Sequence, residues 1–475
     1  MARKKRNNRK SKRPPPPRAK ALAGPQSVHK SGHKSDPKAA TTTAAPVLRE
    51  KLDAAPVVPV EAPAKTLPPA LRVWRHRNYA LFEAGWMPQS ITSWMQRVGV
   101  TWLAWELSHS NAWVGAVAAA DLAPMIVLAP LAGAMVDRAA DPMRLLRLTK
   151  VLMLLQAVAL AVAMYAGQMT IELLFALSLV TGVIHPFASA ARQLVLASTV
   201  PRVDFPPAIA LDSALFQASR FIGPAIAALM IGIWDVGSTF LAHIVGSVVL
   251  LGSLYLMRIT PPDRPARLKR SLLIDIADSI GYTRNNGAIW PLFLLLIVVS
   301  VLLRPVQELL PGFASKVFGA GAQGLGWLAS SMGVGAMVSA TWIALRGRIE
   351  GLSTWAIVGA LILILSTLGF AATDDLNLGL VFAGLTAFGL NTMSTSIQTI
   401  TQSVVADGMR GRVMSLYSLI FRGLPAIGAL ALGSLADRIG LQATFTTMAL
   451  LALIVWALVA LKWRTIAASV RQQMA

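Results

Sequence analysis

The sequence contains no cysteine among its 475 residues. Disulfide frameworks, thiolate metal sites and cysteine nucleophiles are therefore excluded. Charge is also scarce, since Asp, Glu, Lys and Arg make up 14% of the chain against 55% hydrophobic residues. A soluble protein of this length would lack the polar surface to stay dissolved, so lipid must be the solvent for most of it. Six histidines are present (His29, His33, His76, His109, His185 and His243), and only His29 and His33 share a helical spacing, in a polar segment. No metal site is expected from them. There is no Walker A loop, which removes ATP as the energy source; GAGAQG at 319–324 fits GxGxxG by letter but precedes an apolar run. No cofactor is expected.

What remains is long apolar runs, each of which can cross a bilayer in roughly 20 residues. Spans are predicted near 79–106, 111–135, 145–167, 171–191, 207–232, 236–257, 289–311, 324–345, 353–372, 376–403, 413–435 and 441–461. The longest interruption, 258–288, divides them six and six. The expected fold is an all-α membrane protein of twelve transmembrane helices in two pseudo-symmetric six-helix bundles, 71–258 and 289–464. A linker at 259–288 joins them, and a short tail at 465–475 follows. The halves echo one another at Gly182 and Gly389, and at Gly223-Pro224 and Gly423-Leu424-Pro425. Parallel repeats of this kind place a cavity at the repeat interface.

Residues 1–70 differ in kind, opening MARKKRNNRKSKRPPPPRAK without apolar periodicity. Disorder is expected there. A basic run can serve nucleic-acid binding, but beside a first spanning helix it more often rests on anionic lipid head groups, so no nucleic-acid partner is expected. The loops on one side of the predicted spans, with the C-terminal tail, hold nineteen Lys and Arg, while the alternate loops hold only Lys316 and Arg438. Positive charge marks the cytoplasmic side, which puts both termini and the linker on the cytoplasmic face of a bacterial inner membrane.

By this division four cations fall within spans: Arg97, Arg220, Arg304 and Arg422. A mid-bilayer cation costs at least about 2.5 kcal/mol on insertion scales and so faces a bundle interior or wet cavity. The acids within spans are Glu83, Asp121, Asp212 and Glu308, and Gln96, Gln217, Gln307 and Gln398 can hydrogen-bond between helices. Either these groups line a substrate cavity or they tie helices together. Asp121, far from either polar end and beside the span carrying Arg97, is the expected proton-coupling carboxylate.

At GAMVDR, Gly133 to Arg138, the chain resembles the major facilitator superfamily, whose signature there is Gly, three residues, then Asp-Arg. ARQLVLASTVPRVDFPPAIALDSALFQASRFIGP (191–224), LPGFASKVFGAGAQGLG (310–326) and RGRVMSLYSLIFRGLP (410–425) resemble the branch that contains the enterobactin exporter and related secretion permeases. The similarity covers roughly residues 74–462. It implies a monomeric exporter that rocks two bundles between inward-open and outward-open states. Ala140, Asp141 and Pro142 intervene before Arg144, and the equivalent loop of the second half reads LRGRIEG without the Asp, so the two gates are not symmetric. A cytoplasmic gate is expected from Gly133, Asp137 and Arg138 against Arg410 and Arg412.

The reading is a secondary transporter that exports a siderophore-like, anionic or amphipathic molecule in exchange for protons. Hydrophobic multidrug efflux is the alternative. A membrane sensor or enzyme is the rival from another class, but no nucleophile-base pair, metal cluster or appended domain supports it.

Overall fold

The computed structural model describes residues 72–138, 141–258, 272–347 and 350–474. The basic segment 1–70 lies outside them, as does the start of the linker. Among the described residues every regular element is helical. Eleven stretches are long and apolar enough to cross a membrane. The expected first span is a helix of 32 residues, α1 (Arg77–Ser108), that is not among the eleven; it carries Glu83, Gln89, Gln96 and Arg97.

The remaining helices are α2 (Asn111–Leu122), α3 (Pro124–Arg138), α4 (Pro142–Tyr165), α5 (Ile171–Ala197), α6 (Phe205–Ile233), α7 (Gly237–Leu256), α8 (Leu272–Asn285) and α9 (Trp290–Leu302). They continue as α10 (Gly321–Arg346), α11 (Leu352–Ala372), α12 (Leu376–Val404), α13 (Asp407–Ser418), α14 (Leu424–Ile439), α15 (Leu441–Ala460) and α16 (Trp463–Met474). Side-chain oxygens fix several starts: Ser110 accepts from Trp113 N–H, Asp141 from Met143 and Arg144, Thr170 from Leu173, and Asp375 from Leu378. Each satisfies an amide that the first helical turn leaves without a partner.

Three spans are broken where charge is carried. Pro124 opens a new helix just after Asp121. Arg304 and Gln307 lie on a 3₁₀ turn that follows α9 and contains Pro305. Arg422 lies on a π-helical turn, Leu419–Gly423, between α13 and α14. Such irregular turns release backbone groups and re-aim side chains, and at membrane depth they are tolerated only inside protein or along a wet cavity.

Packing within the first half pairs α1 with α6 and α7, α4 with α5 and α7, and α2 and α3 with α5. Corresponding pairs recur in the second half: α9 with α14 and α15, α11 with α12 and α15, and α10 with α12. Between halves, α2 packs on α14 and α6 on α10. Both contacts are close: a side chain at Gly115 would meet the carbonyl of Ala429 across α2–α14, and one at Gly333 would meet the backbone of Phe221 across α6–α10. In lipid, such backbone approach replaces hydrophobic driving force as the source of helix association.

Among the described residues the apolar core is shared by both halves at one end only. There Trp105, Val114, Ala227 and Phe240 join Phe313, Leu325, Ala436 and Phe445 in one cluster. Toward the other end the core is two clusters, one drawn from residues 73–257 and the other from 288–470. The halves are thus closed on each other at one end and separately packed at the other. Two features were not expected from the sequence. The second part of the linker is helix α8, packed on α13, and the C-terminal tail is helix α16, whose Ile466 and Val470 are buried in the second-half core.

Candidate transport site

Arg97 on α1 organises the middle of the molecule. Its Nη2 donates to both carboxylate oxygens of Glu308, each at 2.8 Å, and its Nη1 donates to Asp121 Oδ2 at 3.2 Å. Glu308 follows the 3₁₀ turn of the second half, so this bidentate pair joins the halves, while Asp121 on α2 extends it within the first. Arg220 on α6 makes a second, longer link, donating from Nη2 to Gln307 Oε1 at 3.4 Å. The Trp94 ring stands near both guanidinium groups, 5.9 Å from Arg97 and 5.6 Å from Arg220. Arg304 lies 4.4 Å from the Phe421 ring, and its buried Nη1 has no hydrogen-bond partner. Arg422, on the π-turn, is exposed. Aromatic faces of this kind hold a cation without consuming a carboxylate.

The glutamines divide. Gln307 belongs to the central group, but Gln96 is buried and donates to Gln156 Oε1 on α4 at 3.2 Å, so it ties helices of the first half together. Gln217 and Gln398 make no side-chain hydrogen bond among the described residues. One group that the sequence reading passed over joins the set: His185 on α5 is exposed and within electrostatic reach of Asp121, Arg97 and Arg422.

The count of four intramembrane cations needs correction. Lys150 and Arg192, counted with the cytoplasmic loops from the sequence, lie inside helices: Lys150 is two turns into α4, and α5 runs past the predicted end at 191 to Ala197. Lys150 is 5% exposed. Arg192 pairs with Asp212 on α6.

For the expected cytoplasmic gate, Gly133 lies on α3, while the side chains of Asp137 and Arg138 lie outside the described residues. Arg410 and Arg412 lie on α13, and Arg412 Nη1 reaches Asp278 Oδ2 on α8 at 3.5 Å.

At the closed end, Asp437 in the last turn of α14 caps α2 from the opposite half. Its Oδ1 accepts from the backbone N–H and side-chain Nδ2 of Asn111 at 2.8 and 2.9 Å, and its Oδ2 accepts from Ser110 Oγ at 2.5 Å and Ala112 N–H at 3.0 Å. An acid at the end of its own helix opposes that helix's dipole, and here the positive N-terminus of α2 compensates it. The signal was present in the sequence: Gly433, three residues, then Asp437-Arg438 repeats the spacing of Gly133, Asp137 and Arg138.

The family profile of transmembrane secretion effectors matches residues 74–473. The staphyloferrin A transporter of Staphylococcus aureus is 23% identical over 363 residues, 75% of this chain and 89% of that protein. The multidrug efflux pump Tap of Mycolicibacterium fortuitum is 23% identical over 367 residues, 74% and 88% of the two chains. Among solved structures, a POT family transporter in complex with 5-aminolevulinic acid superposes with a TM-score of 0.65 at 13% identity, over 82% of this chain and 96% of that one.

Proposed function

We propose a substrate and a driving force for this chain, which belongs to the transmembrane secretion effector family of the major facilitator superfamily and is therefore a multi-pass membrane transporter of the efflux type, not an enzyme. The substrate is an anionic or amphipathic small molecule of siderophore-like character, exported by alternating access in exchange for protons. One observation carries this reading: the central group holds Arg97, Arg220, Arg304 and Arg422 against only Asp121 and Glu308, and Arg304 has a buried donor without an acceptor. A site with surplus cations, partly desolvated, favours a ligand that brings carboxylate or catecholate oxygens.

The architecture assumed is twelve spans, counting α1 as the first. At 1.5 Å per residue its 32 residues reach about 48 Å, ample for the bilayer. The repeated packing pairs support two six-helix bundles, 71–258 and 289–464. Excess Lys and Arg in the loops supports cytoplasmic termini in a bacterial inner membrane, with the basic segment on anionic lipid and a monomer as the working unit. In that orientation the shared core and the Asp437 cap lie at the outer face, and the halves have separate cores toward the cytoplasm.

Hydrophobic drug efflux is a second reading, favoured by the Trp94 and Phe421 rings that stand against the cations. Inverted membrane vesicles separate the two. Radiolabelled polycarboxylate or catecholate ligands should accumulate on imposing an inside-acid gradient, and the Arg304→Gln variant should lose that uptake at least tenfold. Accumulation of lipophilic cations only, unaffected by R304Q, would select drug efflux. Equal uptake with the gradient collapsed would remove proton exchange.

A further inference from the structure

A second group of charges lies wholly within the first half, about 21 Å along α1 from Arg97 at 1.5 Å per residue. Its centre is Glu83, 1% exposed, with neither carboxylate oxygen hydrogen-bonded. Asp212 on α6 and Tyr79, one turn away on α1, lie near enough to act on it without meeting hydrogen-bond geometry, and Arg192 on α5 acts on it as a charge. The Tyr79 hydroxyl donates elsewhere, to the carbonyl of Ala208 at 3.1 Å. Lys150 on α4 lies 4.6 Å from the Trp86 ring and Arg192 lies 4.1 Å from it, while Lys150 Nζ otherwise reaches only Met153 Sδ at 3.9 Å. On α7 the titratable groups are His243, which interacts with Lys150 and Thr92, and Tyr255, whose ring lies 4.7 Å from Arg147.

Two acids and two cations are therefore gathered, but only Asp212 and Arg192 are paired. An ionised carboxylate with no donor, buried at this depth, is among the most expensive groups a protein can hold, whereas a neutral carboxyl costs far less. Yet the cluster also holds Lys150, which has no carboxylate partner among the described residues and lies against the same Trp86 ring as Arg192, the cation that acts on Glu83. The cluster balances when Glu83 is ionised and carries one surplus positive charge when a proton is bound. Both forms can be accommodated, as a carrier requires and as a purely structural acid does not.

We propose that Glu83 is a proton-binding site, gaining one proton on a carboxylate oxygen and losing it again to the cytoplasmic side without forming a direct bond to substrate. This rests on the proton-exchange reading above and specifies where the proton sits. It also differs from the sequence expectation, because Asp121 is already paired with Arg97 and its side chain is 29% exposed. Glu83 lies only six residues from the start of α1, roughly 9 Å from that end of the helix.

Infrared difference spectroscopy on the purified full-length protein in nanodiscs tests the site without relying on transport. The wild type should show a carboxylic C=O band near neutral pH that shifts in D2O, is absent from Glu83→Gln and persists in Asp121→Asn. If E83Q does not fold, the band in Asp212→Asn should move in frequency, since that variant changes the neighbouring charge. No such band in the wild type, its survival in E83Q, or an unmoved band in D212N would each overturn the proposal. In vesicles, E83Q should lose gradient-driven accumulation at least tenfold while substrate counterflow continues. Wild-type transport indifferent to a pH gradient, with the band present, would sink proton exchange but leave Glu83 as a proton site.

Discussion

Replacing Asp437 tests whether the closed end is held by a specific contact or by general packing. Asp437→Ala removes the acceptor of four hydrogen bonds across the α2–α14 interface, two of them from backbone amides of the first turn of α2. Ser110 still caps α2 from within, so the helix itself persists and what is lost is attachment between halves. Asp437 is exposed, which tempers each bond, and a helix cap is worth about 0.5–2 kcal/mol. Taking about 1.4 kcal/mol from that range shifts the ratio of closed to open at this end about tenfold. Since the contact can form only when this end is shut, the whole loss falls on one side of the equilibrium. The absence of cysteine makes the assay direct. Spin labels on Gln168→Cys, in the loop between α4 and α5, and Asn377→Cys, in the first turn of α12, report the separation by pulsed dipolar spectroscopy. Asp437→Ala should populate a longer distance, and Asp437→Asn, which keeps one acceptor, should fall between. Identical distance distributions in all three proteins would refute the latch.

Two further outcomes follow from the central site and one from the basic segment. Arg97→Gln leaves the buried Glu308 without its cation and should destabilise by roughly 3–5 kcal/mol, whereas adding Glu308→Gln should recover most of that loss in a detergent melting curve. Asp121→Asn should lower stability by less than about 1 kcal/mol, because Arg97 keeps both bonds to Glu308, and should change substrate affinity measured by counterflow. Deleting residues 1–70, which are basic and lack apolar periodicity, should leave efflux per inserted molecule within about twofold once abundance is matched by immunoblot.

Most spans were readable because lipid imposes a strong, simple rule: an apolar run of about 20 residues must be a helix. Their ends were less readable. Lys150 and Arg192 looked like loop residues because charge usually ends a span, but aromatic faces at Trp86 and an acid at Asp212 allow the helix to carry them inward. Arg97 and Asp121 could be paired from their positions on successive spans, but Glu308 could not be joined to them, since a pairing 211 residues distant depends on how the halves meet. Asp437 is legible only as the internal repeat of a Gly-x-x-x-Asp-Arg spacing. Helix α16 escaped notice because its apolar residues Ile466 and Val470 are too few to span and mark instead one face of a short surface helix.

The proton site and the substrate site must communicate, and α1 is the element that carries both Glu83 and Arg97. Glu83 touches only the first half, whereas Arg97 bonds across to Glu308, so a change at the first alters transport only if α1 transmits it. Pro88 lies between them inside the helix. Lacking an N–H, it leaves the carbonyl of Ala84, one residue from Glu83, without its helical donor, and a proline-weakened turn is where a helix bends at least cost. Thr92 Oγ1 donates to the Pro88 carbonyl at 3.1 Å, which steadies the turn beyond the break but leaves the break itself. Pro88→Ala restores the missing bond and should stiffen α1, raising the melting temperature by a few degrees for about 1 kcal/mol gained. The infrared carboxyl band should be unchanged, while gradient-driven accumulation falls several-fold and substrate counterflow does not. A variant that is more stable yet exports as well as the wild type would show that α1 moves as a rigid rod, and that the two sites are linked through α6 or α7 instead.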